Sequence, residues 1–180
     1  MKRTFQGGLR GASTVTGTIL MVAVVVILSS VVGAFVFGLG PSPSPPAPQA
    51  SISHAILDDA GPDDDDIIAV TLESGTAIET ENLYVIGSKK LDIGGAPDSS
   101  KPANDDHASE REKFTEAASG DPQVGIGETW DSGETVYLDP EGHSADGVTV
   151  KIYWTTRPVE GYNPGTVEGE DSYKIAEFTV

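Results

Sequence analysis

Ile19 to Leu39 runs 21 residues without a charged side chain, and nothing else in the chain restricts its fold as strongly. As a helix rising about 1.5 Å per residue it reaches ~32 Å, against a bilayer hydrocarbon core of ~30 Å. The segment is therefore long enough to span a membrane. Lys2, Arg3 and Arg10 precede it with no acidic residue among them, and the next charge after Arg10 is Asp58. Basic flanks stay on the cytoplasmic side, which predicts an N-terminus inside and the remainder of the chain outside.

Of the 180 residues, those beyond the apolar segment suffice for one folded domain. The net charge of -17 comes from that exterior part, because all 28 acidic residues lie from Asp58 onward while three of the 11 basic residues precede the apolar segment. Such a surface excludes binding to a nucleic-acid backbone, which needs clustered Lys and Arg. Acids spread over the whole domain suit high salt, where screening shortens the Debye length to ~3 Å at 1 M, and a halophilic origin is the expectation. The chain has no cysteine, so disulfides and thiolate metal sites are excluded.

Three readings of the apolar segment compete. A secretory signal has a shorter apolar run and a small-x-small cleavage site, which Gly38-Leu39-Gly40-Pro41 does not supply. A single-pass anchor, holding a monomeric extracellular binding module, accounts for the length alone. The third reading accounts for more. Cutting between Gly11 and Ala12 would remove all three positive charges and keep the whole helix. That suits a helix that must leave the bilayer and pack among its own copies, where a guanidinium would be a buried unpaired charge. Small residues recur four apart as Ser29/Gly33, Ser30/Ala34 and Ala34/Gly38, with Gly17 nearer the start. Such spacing permits close helix–helix approach.

The stretch Arg10-Gly11-Ala12-Ser13-Thr14-Val15-Thr16-Gly17-Thr18-Ile19-Leu20-Met21-Val22-Ala23 resembles the N-terminus of archaeal type IV pilins, those of haloarchaea especially. The Gly-Ala-Phe-Val-Phe-Gly-Leu-Gly end of the helix also fits that family. The resemblance implies a prepilin peptidase acting at Arg10-Gly11-Ala12, and an assembly ATPase and membrane platform protein that lift the helix into a homo-oligomeric helical filament. It implies a precursor in the plasma membrane and a mature filament at the cell surface, serving adhesion or cell–cell contact. A motility subunit of the archaellin kind is the related alternative. Many relatives have a proline where this chain has Thr14. Bacterial type IV pilins have an acidic fifth mature residue where this chain has Thr16, so the archaeal comparison is the closer one.

The expected organisation is a leader at 1–11, an apolar helix at 12–40, a Pro-rich linker at 41–50 and an acidic β head at 51–180. Pro41-Ser42-Pro43-Ser44-Pro45-Pro46-Ala47-Pro48 should end the helix and run as an extended spacer of ~25–30 Å. Strands are predicted at Ser51–Leu57, Ile67–Glu73, Asn82–Gly87, Glu134–Asp139, Gly147–Thr155 and Tyr173–Val180 from period-two patterning between turns. The fold class is α+β, one long helix followed by an antiparallel, immunoglobulin-like β-sandwich. Residues 94–122 read as an irregular excursion, with a short helix from Asp106 through Ala118 and Phe114 exposed.

Catalytic and metal chemistry are weakly represented. Asp58-Asp59 and Asp63-Asp64-Asp65-Asp66 lack the glycine and terminal acid of an EF-hand loop and read as a solvated acidic turn. His54, His107 and His143 are too scattered for a zinc site. His143-Ser144 with Asp139 or Asp146 has triad residue types without a nucleophile elbow. No phosphate loop or dinucleotide fingerprint occurs, so the reading is non-enzymatic and cofactor-free. No Asn-x-Ser/Thr sequon is present.

Overall fold

The computed structural model describes residues 9–38, 45–62, 64–104, 108–115, 126–160 and 171–180. The chain divides into two compact units, Met1–Ser44 and Pro45–Val180. The first unit contains the helix α1, Leu9–Val36. It stops short of the prolines. Phe37 donates to the Gly33 carbonyl at 3.0 Å, and Gly38, at φ 69°, turns the backbone out of the helix. Glycine adopts this left-handed conformation without a Cβ clash, so it ends the helix before proline can.

The second unit is an antiparallel β head. Its strands are β1 (Ala50–Leu57), β2 (Ile67–Gly75), β3 (Ile78–Glu79), β4 (Leu83–Gly94), β5 (Ser109–Lys113), β6 (Thr129–Trp130), β7 (Thr135–Pro140), β8 (Thr149–Thr155) and β9 (Ser172–Thr179). Seven of them form one sheet in the order β1-β2-β7-β4-β8-β9, with β5 also paired to β4, while β3 and β6 form a separate pair. All six predicted strands are present. The helix-plus-antiparallel-head class holds, with the sheet curled nearly into a barrel rather than split into two independent sheets.

β4 produces the curl. Its first half pairs with β8 from Leu83↔Trp154 to Gly87↔Val150, and its second half pairs with β7 from Leu91↔Pro140 to Gly94↔Tyr137. Between them Ser88, Lys89 and Lys90 are exposed. This polar interruption lets one strand serve two sides of the core. Leu83 and Val85 point inward before it, and Leu91 and Ile93 after it, joining Val70, Leu138 and Ile152. The edge strands β1 and β9 approach through side chains, with His54 stacked on Phe178 at 4.1 Å between ring centroids.

Residues 94–122 correct the sequence reading. The segment at 109–113 is the strand β5, paired with β4 at Tyr84↔Lys113 and Ile86↔Arg111, so no helix runs from Asp106 through Ala118. Asp106 itself and residues 116–118 lie outside the described residues. Phe114 is buried, not exposed, and packs against Trp130 at 5.1 Å. Its amide donates to the Leu83 carbonyl, which prolongs the strand pairing into the core. The charged sequence Ser-Glu-Arg-Glu-Lys concealed β5, because cross-strand pairing rather than propensity makes it a strand. Ala47, assigned to the linker, packs against the head's core; residues 41–44 lie outside the described residues.

Residues 95–104 cross the sheet beside Gly94, where a Cβ would lie 2.1 Å from the Ala103 amide nitrogen. Gly94→Ala is expected to destabilise the head by about 1–3 kcal/mol through overpacking, read as a lower midpoint of denaturant unfolding.

Candidate functional site

The largest uncovered apolar surface belongs to α1. Among the described residues every exposed large hydrophobic side chain lies between Val15 and Phe37. Val15–Val36 has a mean hydropathy of 2.9, and none of it is buried. A helix apolar on all sides has no face suited to water and requires lipid or other protein around it. Thr18 and Ser30 satisfy their hydroxyls locally, donating to the carbonyls of Val15 at 2.9 Å and Ile27 at 2.7 Å. Both hydroxyls are therefore compatible with apolar surroundings.

Of the residues singled out for processing, Arg10, Gly11 and Ala12 have helical backbone. Of those singled out for packing, Gly17, Ser29, Ser30, Gly33 and Ala34 lie within α1 and Gly38 in the turn after it. A Cβ at Gly17, Gly33 or Gly38 would meet nothing within 4 Å. Nothing in the chain itself demands glycine for lack of space at these three positions; only at Gly38 does the backbone conformation favour it.

The head's polar clusters serve its architecture. In the β1–β2 turn, Asp59 and Asp64 hold positive φ of 51° and 60°, a conformation that Asp tolerates better than most residues. Asp65 is buried and pairs with Nδ1 of His143. Asp66 accepts from the Ala145 amide at 3.1 Å. The acidic run is thus not simply a solvated turn: Asp65 and Asp66 tie it to the β7–β8 connection. Asp63 lies outside the described residues, and among those described no group of three His, Cys, Asp or Glu side chains could hold a metal ion.

The triad residue types do not assemble. His143 faces Asp65, Ser144 accepts from the Asp146 amide, and Asp139 lies buried in β7. His54 sits on β1 as expected; His107 lies outside the described residues. The sequence reading passed over the buried carboxylate Asp92 and took Asp139 only as a triad candidate; the two face each other across β4 and β7. Their signal was the alternation Leu91-Asp92-Ile93 beside Leu138-Asp139, which turns each acid away from the core. Asp92 accepts from the Asn104 amide at 2.9 Å, fastening the 95–104 crossing to the sheet.

One cleft of about 710 Å³ opens beside Phe114 and Ile126, with Glu79, Glu81 and Glu128 among its lining residues. On β9, Lys174 donates to Glu177. That hydrogen bond holds the lysine above and the carboxyl below their ordinary ranges. The carboxyl's share of stability is present above its ordinary range and lost as pH falls; the lysine's is lost as pH rises. Both groups are fully exposed, so the stabilisation is small. Lys174→Gln is expected to raise the Glu177 pKa toward its ordinary value, measured by carboxyl-carbon NMR titration.

Residues 10–52 match the family described as Archaeal Type IV pilin, N-terminal. No curated protein matches the chain. The match takes in α1 from Arg10 onward and ends at Ile52 in β1, so the likeness to that family is confined to the N-terminal segment and the rest of the β head lies beyond the matched residues.

Proposed function

We propose that the chain is the structural subunit of an archaeal type IV pilus, made as a membrane-spanning precursor and polymerised through α1. The observation that carries this reading is an apolar rod exposed on all sides and lying within the segment that matches the pilin family. In the precursor, lipid covers the rod, with Lys2, Arg3 and Arg10 on the cytoplasmic side. In the filament, other copies of the rod replace the lipid. Burial at roughly 1.5–3 kcal/mol for each large side chain supplies the cohesion.

Removal of residues 1–11 by a prepilin peptidase separates the two states, because it strips the charges that hold the N-terminus at the membrane surface. The Gly11–Ala12 bond lies in helical backbone, and glycine costs a helix about 1 kcal/mol relative to alanine, which eases local unwinding for cleavage. An assembly ATPase and a platform protein then raise the helix into the filament core. The acidic head faces solvent, where it serves adhesion or cell–cell contact at high salt.

Intact-mass measurement of protein sheared from cells is expected to give a chain beginning at Ala12. A chain that retains Lys2 to Arg10 supports instead a monomeric, membrane-anchored binding module. Gly33→Phe is expected to reduce filament yield by electron microscopy while leaving membrane insertion intact, because a bulky side chain there separates neighbouring helices. Equal filament yield would remove Gly33 from the packing surface.

A further inference from the structure

A second copy docked on most of the head would desolvate carboxylates, a cost that salt does not screen. The chain carries 28 acidic residues against 11 basic ones, with every acid in the head, so neighbouring heads can meet only where few charges are opposed or desolvated. The outer face of β1, β2 and β7 meets that condition. Strand register sets Ser53, Thr71 and Thr135 in one row across the three strands, and Ala55, Ala69 and Tyr137 in the next. On β2 and β7 these residues alternate with Ile68, Val70, Val136 and Leu138 of the core and therefore point outward. All six are at least partly exposed, none is charged, and β1 contains no charged residue along its length.

The face is also held in place. The hydroxyls of Thr71 and Thr135 are 2.7 Å apart. Glu73, the carboxylate beside them, accepts from Ser53 at 2.5 Å. Side chains already fixed lose little entropy when a partner arrives. Interface centres are poor in charge and favour tyrosine, and this face is uncharged in its two rows and carries Tyr137. The outward side of β8 and β9 is different, with Lys151 3.8 Å from Glu177 and Lys174 bonded to the same carboxylate.

We propose that the outer face of β1, β2 and β7 seats the head of a neighbouring copy of this chain. The proposal rests on the filament reading and adds which face of the head makes the contact. Because the chain has no cysteine, Ala55→Cys labelled with a benzophenone maleimide places one photo-crosslinker on this face of the full-length protein. Irradiated filaments are expected to yield chain-to-chain adducts, several-fold more than filaments labelled at Thr179→Cys on exposed β9. Filaments that form and label but give no such adducts, give no more than the Thr179 probe, or join Ala55 to a different protein overturn the proposal and leave the filament reading standing. Absence of the chain from sheared filaments overturns both. Independently, Ala55→Glu is expected to lower filament yield at least about tenfold relative to Ala55→Ser, because it buries a carboxylate without a partner in the contact. Equal yields of the two variants would overturn the proposal.

Discussion

An apolar helix that offers water no compatible face must be surrounded by something else, and that requirement governs the N-terminal unit of this protein. From Val15 to Val36 the helix satisfies its backbone internally, and its Thr18 and Ser30 hydroxyls bond within the helix. Lipid and other copies of the same helix are equivalent surroundings in this respect, because both are apolar and neither needs to supply hydrogen bonds. The charges before Ala12 distinguish the two. Lys2, Arg3 and Arg10 suit a membrane surface and would be unpaired within a bundle of helices.

The head meets a different requirement, which is to fold without disulfides and with a large excess of negative charge. It does so by routing one strand through two sides of a single core. Ser88, Lys89 and Lys90 face solvent at the middle of β4, while both halves of the strand are buried. Several acids are built into the frame: Asp65 against His143, Asp66 against the Ala145 amide, and Asp92 against the Asn104 amide. The remaining acids leave the head strongly negative, and the outer face of β1, β2 and β7 is the part of it that presents Ser53, Thr71, Thr135, Ala55, Ala69 and Tyr137 rather than a row of charges.

The boundary between what was legible in the sequence and what was not follows the range of the interactions involved. The helix and the strands at 50–57, 67–75, 135–140, 149–155 and 172–179 follow from patterns read within a few residues. β5 did not, because Ser109–Lys113 has no strand pattern of its own and is fixed by pairing with β4, as far back as Tyr84 for Lys113. Phe114 looked exposed among polar neighbours, yet Trp130 and the Leu83 carbonyl hold it in the core. The helix ends ahead of Pro41, with the backbone turning to positive φ at Gly38.

The sequence by itself determined that a long apolar helix precedes an acidic, cysteine-free β head, because charge, length and alternation are local properties of a chain. Only the tertiary structure decided that β4 serves two sides of one core and that Asp65 is buried against His143. It also decided that Ser53, Thr71 and Thr135 share one outward row. These depend on which distant strands pair and in what register, and a one-residue shift would reverse each of them.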